Sequence, residues 1–139
     1  MNIVVIDGQG GGIGRLLVQK IKEKIPFAVV TAVGTNSLAT SAMMKAGADQ
    51  GATGENAVRV NAARADVIAG PVGIVVADAL LGEITPVMAR AVGSSAALRV
   101  LIPMDRCATM VAGVQDSSLS ALVTDAVARI LAYGENCAG

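Results

Sequence analysis

The chain has 139 residues, of which 11 are lysine or arginine, 11 are aspartate or glutamate, and none is histidine. Zero net charge and 1% aromatic residues disfavour nucleic-acid binding, because a basic surface and rings for base stacking are both lacking. Without histidine, the commonest metal ligand, we expect no metal site. With only 16% charged residues and a mean hydropathy of +0.61, we expect a homo-oligomer that buries apolar surface between subunits.

We expect a cytoplasmic protein with no membrane segment. No signal peptide precedes the first predicted strand. The longest uncharged run, residues 25–44, contains Pro26 and Gly34 and is too polar to span a bilayer. Two cysteines far apart in the sequence suit a reducing compartment. The length predicts one domain, which we place at residues 1–134, with a frayed tail over 135–139.

The first element is a short apolar strand over residues 2–6, followed by a glycine-rich turn and a helix over about 13–25. This order is typical of a phosphate-binding turn. Glycines allow positive φ and close approach of a ligand, and the start of a helix offers free N–H groups to an anion. The ligand-binding residues predicted here are Gly8, Gly10, Gly11, Gly12, Ile13 and Gly14.

The glycine spacing narrows the type of turn. The Gly-x-Gly-x-x-Gly fingerprint of dinucleotide-binding proteins fails, because Gln9 stands where its first glycine belongs. The spacing of Gly8, Gly12 and Gly14 resembles the cofactor turn of short-chain dehydrogenases, but their Tyr-x-x-x-Lys pair is absent, since Cys137 follows the only tyrosine, Tyr133, by four residues. The alternative is that the glycines only let the helix pack closely on the sheet.

The next segment predicts a second strand and two helices. A strand over 27–33 leads into the turn Gly34-Thr35-Asn36-Ser37, in which Ser37 can cap a helix over about 38–46. A polar loop over 48–56 then precedes a helix from about Glu55 to Arg64. Asn36 and Ser37 follow the second strand, where a ribose would lie in a nucleotide-binding fold, so they are candidate ligand-binding residues, with helix capping as the alternative.

The remaining sequence predicts three more strands, over residues 67–69, 97–102 and 108–114. The stretch 72–81 favours a helix, with a strand as the alternative. Thr85 and Pro86 mark the start of a helix that ends near Gly93, and Asp116-Ser117 caps a last helix that ends near Tyr133.

Alternating strands and helices predict an α/β, Rossmann-like three-layer sandwich with a mainly parallel sheet of about five strands. We expect the order 67–69, 27–33, 2–6, 97–102, 108–114 across this sheet. The loops at the carboxyl ends of parallel strands meet at one edge, and all of them here carry polar or glycine residues. The sequence therefore predicts a ligand site at this edge.

Three residues are candidates for catalysis, of which Asp7 and Cys107 lie at this edge. Asp7 could order the glycine turn, or hold a metal or a ribose hydroxyl. Cys107, beside Arg106, could be a nucleophile or a redox centre, or a buried cysteine that starts a strand. Glu83 could be catalytic, or could favour the dipole of the helix that follows.

Taken together, the chain resembles a family of small, uncharacterised bacterial proteins defined as a domain of unknown function. The resemblance covers about residues 1–133 and implies no activity. It rests on the glycine turn, Gly34-Thr35-Asn36-Ser37, Gly51-Ala52-Thr53-Gly54-Glu55-Asn56, Gly82-Glu83-Ile84-Thr85-Pro86, and Ile102-Pro103 with Arg106-Cys107.

Three functions remain open at this point. The first is a protein that binds a phosphate-containing small molecule, a nucleotide or a dinucleotide such as NAD(P), without chemistry. The second is an enzyme that acts on a phosphorylated or acidic substrate with Cys107, Asp7 or Glu83. The third is a structural protein whose glycines serve packing alone. The missing histidine and the missing Walker Gly-Lys-Ser/Thr motif disfavour the common enzyme classes.

Overall fold

The computed structural model describes residues 1–103 and 108–138, with the side chain of residue 138 left out. Five strands alternate with helices along the chain. The strands are β1 (Asn2–Asp7), β2 (Val29–Gly34), β3 (Gln50–Thr53), β4 (Val67–Pro71) and β5 (Leu98–Ile102). The helices are α1 (Gly12–Lys24), α2 (Ser37–Lys45), α3 (Glu55–Arg64), α4 (Pro86–Gly93) and α5 (Leu119–Ala138), and a single 3₁₀ turn covers Val72–Val75.

The strands form one parallel sheet in the order β3-β2-β1-β4-β5. β1 is buried on both faces, because Ile3 and Val5 pack on one side and Val4 and Ile6 on the other. Helices α1, α2 and α5 contribute to the first of these cores, and α3 and α4 contribute to the second. The predicted three-layer α/β architecture with a parallel five-stranded sheet is confirmed.

Two of the predicted strands differ in the structure. The polar segment Gln50–Thr53, which we predicted as a loop, forms the edge strand β3, whereas residues 108–114 form no strand. β3 gives no hydrophobic signal because three of its four residues are exposed at the sheet edge. The segment 108–114 is apolar but mostly exposed, and positive φ angles at Ala108 and Gly113 are incompatible with an extended strand.

These differences change the predicted strand order. The strand at residues 67–71 lies directly beside β1, whereas we expected it beyond β2. β3 occupies that outer position instead. The side on which strands are added to the parallel sheet therefore switches between β1 and β4, because β2 and β3 extend the sheet to one side of β1 while β4 and β5 extend it to the other.

The stretch 72–81 is not the helix that we predicted. After the 3₁₀ turn, the chain forms an irregular loop over residues 76–84. Asp78, Leu80, Leu81 and Gly82 all have positive φ, between 56° and 91°, which a right-handed helix cannot accommodate. The loop closes on itself by hydrogen bonds from Asp78 N to Ile84 O (2.7 Å) and from Glu83 N to Leu80 O (3.2 Å). These bonds hold three non-glycine residues in a disfavoured conformation.

The helix ends were predicted with mixed success. Thr85 caps α4 by accepting a hydrogen bond from Met88 N (3.1 Å), as expected. α2 is capped by Asn36 rather than Ser37, and Ser118 rather than Asp116-Ser117 accepts the hydrogen bond from Ala121 N at the start of α5. α5 continues through Gly134 to Ala138, past the predicted end at Tyr133 and into the segment predicted as a tail, because a glycine tolerates helical angles.

No helix in the described segments has both the length and the apolar character needed to cross a membrane.

Candidate functional site

The glycine turn connects β1 to α1. Gly11 N donates a hydrogen bond to Gly8 O (2.9 Å), which closes a four-residue turn. Gln9 (φ 51°) and Gly11 (φ 73°) both adopt left-handed backbone angles there. Gly11 precedes the first residue of α1, and its carbonyl accepts from Arg15 N (2.9 Å). The turn therefore presents the start of a 13-residue helix at the carboxyl end of the central strand.

Asp7 organises this turn from the inside. Its side chain is buried; Oδ1 accepts from Gly8 N (2.8 Å), and Oδ2 accepts from Gly14 N (2.7 Å). Burial raises the pKa of Asp7 above its ordinary value, against the effect of hydrogen bonds from the N–H groups of Gly14, Gly8 and Ile13. The carboxylate thus takes up donors at the start of α1, and both of its oxygens are engaged by the backbone of the turn.

Glu83 links the glycine turn to the residues that follow β2. Its Oε1 accepts hydrogen bonds from Gln9 N (3.0 Å), Thr35 Oγ1 (2.7 Å) and Asn36 Nδ2 (2.7 Å). Burial raises the pKa of Glu83, but these hydrogen bonds outweigh that effect and hold it below its ordinary value. The sequence indicates Glu83 as a catalytic candidate or as a charge near a helix start, but not as a bridge. Its bridging role was missed because its partner Gln9 lies 74 positions away in the chain.

The five glycines of the turn fall into two groups. A Cβ at Gly8 would lie 2.8 Å from Thr35 Oγ1, one at Gly11 would lie 3.0 Å from the backbone of Ala39, and one at Gly14 would lie 2.5 Å from the Met43 sulfur. These three glycines are required by packing. A Cβ at Gly10 or Gly12 would meet no atom within 4 Å. Within the described parts of the chain, the N–H groups of these two residues make no hydrogen bond.

Gly10 and Gly12 border a cavity of about 420 Å³. It lies between the turn after β1 and the residues that follow β4, where the strand order switches from one side of β1 to the other. Ligands of open α/β sheets bind at such a switch in strand order, beyond the carboxyl ends of the strands. Arg15 is the cationic side chain among the described lining residues. The wall is otherwise largely aliphatic, formed by Ile13, Leu16, Pro71, Leu80 and Leu119.

The predicted site residues are only partly brought together. Asp7, Gly8, Gly10, Gly12 and Ile13 line the cavity, but Gly11 and Gly14 are not among its described lining residues. Of the described residues that form its wall, none belongs to the turn 34–37.

Asn36 and Ser37 therefore have other roles in the structure. Asn36 Oδ1 caps α2, and its Nδ2 donates to Gln9 O (3.0 Å) as well as to Glu83. Ser37 is the exposed first residue of α2. The catalytic candidate Cys107, with Asp105 and Arg106, lies outside the described residues.

Sequence reasoning missed Leu80 and Leu119 as wall residues. A loop with positive φ carries Leu80 to the cavity, and the first turn of α5 places Leu119 there. The only signal that could have indicated them is their position downstream of strands β4 and β5, at the edge where ligands bind.

One solved structure with a similar fold is a dodecameric FMN-dependent UbiX-like decarboxylase from Escherichia coli O157:H7. The two chains share 17% sequence identity with a TM-score of 0.48, over 97% of this chain and 94% of that one. No curated protein matches the sequence. The model of one protein family matches residues 2–135, which confirms the resemblance seen in the sequence. The chain belongs to this family, described as a domain of unknown function, DUF3842.

Proposed function

We propose that the protein binds a small molecule with a phosphate group and an apolar portion, in the cavity between β1 and β4. One observation carries this proposal. Gly10 and Gly12 have no packing requirement for glycine, their N–H groups are free of hydrogen bonds within the described residues, and they border a cavity at the start of α1. A phosphate at this position would accept from both N–H groups without displacing a protein contact.

The charges around the turn favour a single phosphate over a larger anion. Asp7 takes up the inner donors at the start of α1 and its charge already faces the helix dipole, so the outer N–H groups of Gly10 and Gly12 are left for a ligand. Arg15 adds one cationic side chain at the cavity wall. Because Arg15 is exposed, its attraction to a phosphate would be screened by salt. We therefore expect binding to weaken as ionic strength rises.

The aliphatic wall suits the apolar part of such a ligand. The cavity volume falls within the range of about 300–1,000 Å³ that is usual for small-molecule sites. A nucleotide fits this combination, with its phosphate at the turn and its base against Leu16, Leu80 or Leu119. Asp7 and Glu83 serve as structural carboxylates in this proposal, because Asp7 and the Oε1 of Glu83 already accept hydrogen bonds from protein donors.

Thermal unfolding with added inorganic phosphate, AMP or FMN tests this proposal. A ligand at 100 times its Kd stabilises the folded state by about 2.7 kcal/mol, which shifts the midpoint by several degrees. We expect a shift for the wild type and none for Gly12→Val, whose side chain would project into the open space at the cavity mouth. Gly93→Val in α4 is the matched control, since a Cβ there also meets no atom within 4 Å. No shift with any of the three compounds, or the same shift in Gly12→Val, would contradict the proposal.

A further inference from the structure

We propose that Glu83 restricts the site to mononucleotides by closing the crevice between the ends of β1 and β2, where the second half of a dinucleotide would lie. This inference rests on the proposed function and specifies its class of ligand. In a dinucleotide-binding sheet, the pyrophosphate sits at the turn after the first strand, and a ribose lies over the end of the second strand. Both positions must be open at once for a dinucleotide to bind.

In this protein the second position is filled by a side-chain bridge. The carboxylate of Glu83 connects Gln9, in the turn after β1, to Thr35 and Asn36, directly after β2. Asn36 Nδ2 also donates to Gln9 O (3.0 Å), and Thr35 N donates to Asp7 O (3.0 Å). Three hydrogen bonds therefore join Gln9 and Glu83 to Thr35 and Asn36, a fourth joins Gln9 to Glu83, and the bond from Thr35 N to Asp7 O joins the two strand ends.

Steric contacts on this side support the same conclusion. The backbone of Gly8 is so close to Thr35 and to Leu80 that an added Cβ would lie 2.8 Å and 2.9 Å from their side chains. Gly11 is equally close to Ala39 in the first turn of α2. The described residues of the cavity wall include members of the β1, β4 and α5 regions but none from residues 34–37. The space beside the glycine turn is therefore open on the side of β4 and filled by protein atoms on the side of β2.

Charge adds a second barrier on the filled side. Glu83 carries its negative charge where an acidic residue of a dinucleotide-binding protein would accept hydrogen bonds from ribose hydroxyls. Here its Oε1 already accepts from three protein donors, and the carboxylate would repel a second phosphate or a 2′-phosphate. A ligand with one phosphate places less negative charge near Glu83 than a ligand with two.

The experiment is calorimetric titration with AMP, NMN and NAD⁺, in which NAD⁺ is the compound that joins the two halves. We expect the wild type to bind AMP or NMN. Its affinity for NAD⁺ should be at least tenfold lower than its affinity for the tighter-binding half. In Glu83→Ala this tenfold gap should close, because the bridge is gone and the β2 side can open. Glu135→Ala, an exposed carboxylate on α5, is the matched control and should keep the gap.

A second variant keeps the test decisive if Glu83→Ala does not fold. Thr35→Val removes one donor to Glu83 with little change in volume, and it should narrow the gap in the same direction by a smaller factor. An NAD⁺ affinity in the wild type equal to that of its tighter half would overturn the inference. So would an unchanged gap in a folded Glu83→Ala, or in Thr35→Val where Glu83→Ala does not fold.

Two further outcomes separate this inference from the proposed function. If inorganic phosphate binds but none of AMP, NMN and FMN does, the mononucleotide class is wrong while the phosphate site stands. If inorganic phosphate, AMP, NMN, FMN and NAD⁺ all fail to bind, the phosphate site itself is contradicted.

Discussion

The glycine turn has two sides, and its glycines have a different purpose on each side. On the side of β2 and α2, Gly8, Gly11 and Gly14 are packed against other residues, and Asp7 and Glu83 satisfy backbone donors. On the side of β4, Gly10 and Gly12 face open space. Five glycines within seven positions therefore serve two purposes. The comparison teaches that only the glycines without a packing role are evidence for a ligand.

The largest expected effect comes from replacing a glycine on the packed side. Gly14→Val should lower the free energy of unfolding by about 2–3 kcal/mol, because its side chain would be forced against Met43 and Asp7. Gly12→Val should change it by less than about 0.5 kcal/mol, since nothing surrounds that position. Urea denaturation measures both. Equal losses in the two variants would remove the distinction between the two sides.

Asp7→Asn tests the carboxylate that orders the turn. One amide oxygen cannot replace two carboxylate oxygens, so the N–H of Gly8 or Gly14 would lose its acceptor in a buried position. The expected loss of stability is about 1–3 kcal/mol. Asp125→Asn in α5 is the control, because its ion pair with Arg129 is exposed and screened by solvent. A loss in Asp7→Asn no greater than in the control would show that the turn does not depend on Asp7.

Glu83→Gln should have a smaller effect that depends on pH. The pKa of Glu83 is lower in the folded state than in the unfolded chain. Its contribution to stability is therefore fully present above about pH 4.3, the ordinary pKa of glutamate, and is lost as the pH falls through the lower folded value. Asp7, whose folded pKa is raised mainly by burial, has the opposite dependence, and Glu83→Gln removes only the smaller contribution that the Glu83 charge makes to that rise.

The stability difference between the wild type and Glu83→Gln should consequently be largest near neutral pH and shrink as the pH falls below about 4. Thermal unfolding midpoints between pH 7 and pH 3 measure this difference. A difference that stays constant over that range, or grows toward acid, would contradict the role given to the Glu83 carboxylate.

The smallest expected effect on the folded chain concerns its exposed apolar residues. Val87 and Leu81 are exposed apolar residues through which the predicted homo-oligomer could form. We expect Val87→Arg or Leu81→Arg to change the stability of a single chain by less than about 0.5 kcal/mol and to weaken self-association. Sedimentation at micromolar concentration tests this. A wild type that sediments as one chain mass would contradict the predicted oligomer, and the open side of the turn would then be free of any subunit contact.

The parts of the fold that the sequence predicts are those governed by local patterns. The apolar residues of β1 and the spacing of those in α1 indicate their elements directly, and Thr85-Pro86 marks the start of α4. β3 was missed because Gln50 to Thr53 is a polar, mostly exposed edge strand that its pairing with β2 keeps extended. The positive φ angles at Leu80 and Leu81 were equally unpredictable, because they are imposed by hydrogen bonds within the loop over 76–84.

For the site, the sequence identified the turn but not its division into two sides. Which glycines are packed depends on Met43, Ala39 and Thr35, all of which are distant in the sequence. The same holds for Glu83, whose contact with Gln9 forms only when the loop after β4 folds over the turn. Asn36 was interpreted as a possible ligand contact, whereas its amide is used for capping and for bridging to Gln9 and Glu83.

A titration of the ¹⁵N-labelled protein with inorganic phosphate, followed by ¹H–¹⁵N NMR, tests the central claim most directly. The free N–H groups at the cavity mouth should respond first, so we predict the largest saturable shifts at the amides of Gly10 and Gly12. The amides of Gly8 and Gly14, which are already bonded to Asp7, should move much less. Largest shifts at amides away from the turn, or no saturable shift at millimolar phosphate, would contradict the account.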